Sequence, residues 1–213
     1  TSGFSVVTYT GTGANATVGH GLGVAPKMVI VKCRNTAYEW KVWQVSLSSG
    51  YQLKLNNTDA QASDPTCFTT TTPTSSVFSV GTNVATNQSG KTYVAYCFSE
   101  VAGFSKFGSY TGNGSTDGPF VYCGFRPAFV LIKCTTNSTD GYWWMNDNQR
   151  LGYNPNNLPL FAQSSSAESI YPGIDFTSNG FKLRTSANGW NASGQTMIFA
   201  AFAEHPFKTS LAR

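Results

Sequence analysis

His20 and His205 are the only imidazoles in this 213-residue chain, so any nucleophile–base arrangement built on histidine must draw on one of them. His20 lies in Gly19-His20-Gly21-Leu22-Gly23 and His205 directly before Pro206, with no G-x-S-x-G elbow anywhere in the chain. The glycine-rich stretch lacks the spacing of a phosphate loop, and no helical pattern follows it to supply an anion site. It reads as a tight turn between strands. Glu100 and Glu204 could form the carboxylate pair of a glycosidase, at a separation of roughly 5–10 Å. Both close apolar segments of the same kind, which points instead to strand-end carboxylates meeting a backbone donor or a lysine. No CxxC or Cys/His spacing suggests zinc, and neither a metal nor a cofactor is expected.

Aromatic side chains are the stronger lead. Trp40, Trp43, Trp143 and Trp144 fall in apolar segments, and at least one of each pair is expected in a core. Trp190 stands apart in Ser186-Ala187-Asn188-Gly189-Trp190-Asn191, a turn-like stretch. An exposed indole among amides is how proteins stack on sugar rings and anchor interfaces. The candidate contact residues are therefore Trp190, Asn188 and Asn191, joined by Tyr142 beside Asp140.

The elements that must position these residues come in two copies. Tyr9-Thr10-Gly11 recurs as Tyr110-Thr111-Gly112, Pro26 as Pro127, and Val29-Ile30-Val31-Lys32-Cys33 as Val130-Leu131-Ile132-Lys133-Cys134, all at a shift of 110 − 9 = 101 residues. The segments closing at Glu100 and Glu204 match at 204 − 100 = 104, so the second copy has gained about three residues. A period this long is a domain-sized unit, not a solenoid repeat. With the boundary near Ala102-Gly103, the expected units are 1–102 and 103–213. Loops 59–67 and 163–173, and loops 83–87 and 186–191, do not match between copies. Divergent loops on a repeated scaffold are where specificity usually lies.

Short apolar runs fenced by Gly, Asn, Pro or Ser give strand candidates at 4–9, 28–33, 40–45, 51–55, 77–80 and 93–98 in the first copy. The second copy offers 104–110, 120–123, 128–134, 142–145, 181–183 and 197–203. Their β-branched and aromatic enrichment predicts an all-β chain of two tandem, similar antiparallel β-sandwich units, jelly-roll-like in kind. The Pro-containing threonine run 69–74 is expected to be an extended loop.

Charged residues make up 11% of the chain, against roughly 25% in an average soluble domain. Thr, Ser, Asn and Gly take their place, which suits a surface meeting neutral, hydroxylated ligands or other proteins. The net charge of +4 is spread out; stretches 182–184 and 208–213 are short and read as solvated, so nucleic-acid binding is not expected. No apolar run approaches the roughly 20 residues of a membrane span, so no membrane insertion is expected either. Five cysteines, an odd number, argue against a disulfide framework. Cys33 shares its strand face with Val29 and Val31, and Cys134 with Val130 and Ile132, as small buried hydrophobes of a chain folded in a reducing cytoplasm. The Asn-x-Ser/Thr sequons at Asn15, Asn56, Asn87, Asn113, Asn137 and Asn191 are the coincidences expected of such a composition.

Four further elements carry a resemblance: Tyr110-Thr111-Gly112-Asn113-Gly114, His20-Gly21-Leu22-Gly23-x-x-Pro26, the 29–32 strand, and Ala201-Phe202-Ala203-Glu204-x-Pro206-Phe207-Lys208. Through them the chain resembles the β-domain at the C-terminal end of bacteriophage tail-fibre and tail-tip proteins, especially those of aquatic phages. The resemblance covers both copies and rests on structural motifs, so it carries over no binding residue. It implies a virion component, commonly a homotrimer, that contacts the host surface and other tail proteins. Thr1 in place of an initiator Met, and the ending Leu211-Ala212-Arg213, fit a distal fragment of something longer. The expected function is non-enzymatic: a receptor-binding domain for phage adsorption, taking a surface glycan or an outer-membrane protein through weak loop contacts multiplied by oligomerisation. A carbohydrate-binding module or lectin outside any virion, and a structural virion decoration protein, are the alternatives.

Overall fold

The computed structural model describes residues 3–137, 140–171 and 173–205. The basic stretch 208–213, the chain's two ends and the sequon positions Ser138 and Thr139 lie outside the described residues. The fold is all-β, with 40% strand and 6% helix, where an average domain has about a third helix. The chain divides into two compact units, Thr1–Glu100 and Val101–Arg213.

The first unit contains strands β1 (Phe4–Thr10), β2 (Ala16–Gly19), β3 (Met28–Cys33), β4 (Lys41–Gln44), β5 (Tyr51–Lys54), β6 (Ala62–Ser63), β7 (Val77–Val80) and β8 (Thr92–Phe98). Two single helical turns, α1 (Pro65–Phe68) and α2 (Val84–Asn87), interrupt them. One antiparallel sheet runs β1-β8-β3-β4-β5-β6, and β2 pairs with β7 in a second. Period-two alternation decides the faces. Val29, Val31 and Cys33 of β3 and Tyr93, Ala95 and Cys97 of β8 are buried on one face, against Val18 of β2 and Phe78 and Val80 of β7. Each such large side chain removed from water contributes about 1.5–3 kcal/mol before the entropy of ordering it is counted.

The second unit is built from β9 (Ser105–Thr111), β10 (Phe120–Tyr122), β11 (Pro127–Cys134), β12 (Trp143–Asp147), β13 (Leu160–Phe161), β14 (Ile174–Thr177), β15 (Gly180–Leu183) and β16 (Thr196–Ala203), with the helical turn α3 (Asn188–Asn191). Its larger sheet runs β13-β12-β11-β16-β9 and its smaller one β10-β15-β14. In each unit the opening strand pairs with the closing strand, and that strand pairs with the third. Val130, Ile132, Trp144, Met197 and Phe199 of the large sheet meet Val121, Ile174, Phe176, Phe181 and Leu183 of the small one, forming the core of a sandwich.

All twelve expected strands are present. The expectation omitted β2, β6, β13 and β14 and the three helical turns. In β2 only Val18 is buried, β6 and β13 span two residues each, and a four-residue helical turn is too short to display a period. The threonine run after Phe68 is a loop without strand pairing.

Candidate functional site

The structure corrects the expectation of an exposed Trp190. The indole is 1% exposed, and its ring centroid lies 4.7 Å from that of Trp144. The α3 turn brings it inward because Ala187, extended at φ −63° and ψ 140°, offers its carbonyl to the N–H groups of both Trp190 and Asn191. Gly189 is required here: a Cβ would overlap the Asp140 carbonyl oxygen and sit 2.7 Å from Trp144 Nε1. Tyr110 Oη then donates to the Trp190 carbonyl at 2.7 Å.

Asn191, fully buried, is the polar pin of this corner. Its Oδ1 accepts the Asn113 N–H at 2.8 Å, and its Nδ2 faces Asn113 Oδ1, the Ser115 carbonyl and the Thr185 carbonyl, each at 2.8 Å. The first unit has the same arrangement. Tyr9 Oη donates to the Thr86 carbonyl at 2.6 Å, and Asn87 Oδ1 accepts the Thr12 N–H at 2.8 Å. Asn87 Nδ2 reaches the Ala14 carbonyl at 2.6 Å and the Gly81 carbonyl at 2.7 Å. The asparagines are 191 − 87 = 104 residues apart, the shift of the closing strands. Loops 83–87 and 186–191 therefore share one construction despite their dissimilar sequences. Asn87 and Asn191, each in a sequon, have buried amides already committed to the fold.

Of the remaining candidates, Tyr142 is half-buried, with ring centroids 5.4 Å from Trp144 and 5.0 Å from Phe161. Asp140 is exposed at φ 56°, and its carbonyl accepts the Tyr142 N–H at 2.8 Å. Asn188 is exposed at the start of α3. The structure thus does bring the 140–142 and 188–191 segments together. It does so as a packed seam whose aromatic members face the core.

Two of the residues with catalytic chemistry have partners within the fold. His20 is fully buried; its Nε2 donates to the Thr74 carbonyl at 3.1 Å while Nδ1 accepts the Leu22 N–H at 3.2 Å. Glu204 pairs with Arg126 Nε at 3.1 Å and accepts from Asn148 Nδ2 at 3.2 Å. His205 is exposed. Among the described residues no group of three His, Cys, Asp or Glu side chains could hold a metal.

An aromatic pair that sequence reasoning passed over does reach solvent. On β10, Val121 turns inward, and alternation sends Phe120 and Tyr122 outward, 46% and 63% exposed. Among the described residues the strand lies at the edge of its sheet and pairs only with β15. Opposite Phe120 stands Lys182, held by Asp117 at 2.7 Å and the Gly118 carbonyl at 2.8 Å; the Lys182 ammonium keeps the Asp117 carboxyl below the usual range. Val121 stands opposite Phe181 as Val18 stands opposite Phe78, so positions 120 and 122 correspond to Thr17 and Gly19 of the first unit. Setting Thr17-Val18-Gly19 against Phe120-Val121-Tyr122 exposes the difference: a buried valine flanked by small or polar residues in one unit and by aromatics in the other.

No curated protein and no solved structure matches this chain. Residues 1–206 match a single family model, described as Domain of unknown function (DUF7483). That span takes in both units and their closing strands, and the chain belongs to the DUF7483 family.

Proposed function

We propose that this chain is a non-enzymatic attachment domain of a bacteriophage tail, built from two copies of one β-sandwich unit, that adheres to the host surface through Phe120 and Tyr122. The observation that carries the reading is the outward aromatic pair on an edge strand, where the register-matched positions of the first unit, Thr17 and Gly19, carry no aromatic. Large aromatics left in water side by side on one strand mark an interaction surface. The weakly charged, amide-rich and hydroxyl-rich composition and the resemblance to tail-fibre β-domains support the same reading. In a homotrimer on the virion, three weak contacts to a surface glycan or outer-membrane protein multiply into avid adsorption. A free-standing carbohydrate-binding module is the second reading, since outward aromatics also stack on sugars.

The test is the Phe120→Ala/Tyr122→Ala double variant. Binding to whole host cells should weaken about 10- to 100-fold, the loss expected of an interface anchor, with the melting temperature nearly unchanged. Unchanged cell binding refutes the site. Antibody labelling of virions in negative stain separates the readings: label away from the tail sinks the attachment role.

A further inference from the structure

The first unit carries a surface of different chemistry. An open cleft of about 480 Å³ is lined by Asn15, Thr17, Thr69, Thr70, Thr71 and Ser79. A smaller one of about 250 Å³ adjoins it at Thr17 and runs along Thr8, Thr10 and Thr12. The larger lies in the range of roughly 300–1,000 Å³ found for small-molecule sites.

Two elements build the larger cleft. Thr17 of β2 and Ser79 of β7 are register partners, and both point outward because Val18, Phe78 and Val80 between and beside them face the core. The other wall is the threonine run that follows α1, a turn anchored by buried Cys67 and Phe68. Thr69 emerges from it at φ 52°, a left-handed backbone that a β-branched residue rarely adopts. Such outliers persist only where the surroundings hold them, and they cluster at functional sites. Here Thr69 Oγ1 accepts the Thr71 N–H at 3.1 Å, and Ser49 Oγ donates to the Thr70 carbonyl at 3.2 Å. The hydroxyls of Thr17, Thr70, Thr71 and Ser79 make no hydrogen bond to any described group and face the cleft uncommitted.

Among the described residues no Lys, Arg, Asp or Glu side chain lines either cleft. A phosphate, sulfate or carboxylate would lose its hydration there without a cation to replace it. Hydroxyls and amides donate and accept equally, which matches the pattern a sugar presents. In the second unit the register pair that matches Thr17 and Ser79 is Phe120 and Lys182, an aromatic and a charged side chain in place of two hydroxyls. We infer that the threonine-lined cleft of the first unit is a binding site for a neutral, polyhydroxylated ligand, a stretch of uncharged glycan. The inference goes beyond the attachment reading and does not depend on Phe120 or Tyr122.

The test uses the full chain on an array of neutral oligosaccharides and their sulfated or uronic-acid counterparts, followed by NMR titration with the best neutral ligand. Neutral glycans should bind, and the backbone amides of Thr17, Thr70, Thr71 and Ser79 should shift. Thr17→Val/Ser79→Ala, which removes two hydroxyls at nearly constant shape, should weaken binding about 30-fold, as the loss of two neutral hydrogen bonds implies. Phe120→Ala/Tyr122→Ala should bind the same glycan as wild type. Binding of anionic glycans alone, no binding at all, or shifts confined to the second unit overturns the cleft. Loss of glycan binding in Phe120→Ala/Tyr122→Ala but not in Thr17→Val/Ser79→Ala assigns sugar recognition to β10 instead. If Thr17→Val/Ser79→Ala fails to fold, the wild-type shift map decides.

Discussion

Asn191→Ala removes the pin of the second unit, and the structure sets the size of the loss. The side chain offers one acceptor and two N–H donors, and all four of its contacts lie at 2.8 Å inside a fully buried corner. Two donors shared among three oxygens, with one acceptor bond, amount to three full hydrogen bonds. At about 1 kcal/mol net each, the expected loss is about 3 kcal/mol. For a unit of about 100 residues this lowers Tm by roughly 12–24 °C. Asn191→Asp should cost more, because it turns a carboxylate toward the carbonyls of Ser115 and Thr185. Asn87→Ala is the internal control: it breaks the matching contacts to Thr12, Ala14 and Gly81 and should destabilise the first unit by a similar amount. Urea denaturation followed by tryptophan fluorescence and calorimetry reads both transitions. A loss below about 1 kcal/mol for Asn191→Ala, or a large loss for one asparagine and none for the other, would refute the shared pin.

Trp190→Ala should cost about 3–5 kcal/mol of stability, as expected for deleting a buried aromatic; a variant melting like wild type would contradict the packing against Trp144. All five cysteines are buried and free, and burial pushes the Cys97 thiol up to about 12 and that of Cys67 higher still. A thiol reagent at pH 8 should therefore label few sites in the native chain and five after unfolding without reductant; rapid native labelling of all five would count against the buried positions. Burial pushes the Asp147 carboxyl up, but hydrogen bonds from the Arg150 and Gln149 backbone and the Arg150 side chain outweigh it and hold the group below its ordinary 3.8. A carboxyl lowered by folding stabilises above its unfolded pKa, and that contribution is lost as pH falls through the folded value. Acid unfolding below about pH 4 should thus be shallower in Asp147→Asn, and an unchanged acid limb would argue against the Arg150 contact.

What the chain's own order determined was its strand architecture. Alternation along β3 and β8 is a local signal with a period of two, and Pro26 and Asn35 around β3 and Gly90 before β8 are local turn signals, so they survive without knowledge of partners. Cys33 beside Val29 and Val31 was legible as core for that reason. Which loops touch solvent was decided only by tertiary structure. Trp190 stands in a polar, turn-like hexapeptide, and what buries it is Trp144 beside it and a bond from Tyr110, 80 residues away in sequence. Asn87 and Asn191 look like surface amides or sequons until backbone groups from three distant segments converge on them. Phe120 and Tyr122 lie in a strand recognisable from sequence, but their exposure follows from β10 holding an edge position with nothing described packed over its outer face. The threonine cleft joins β2 to residues 69–71, more than fifty positions further along. Periodicity reports on neighbours within a strand, whereas burial depends on which remote element covers a face, and that is settled only when the sheets pack.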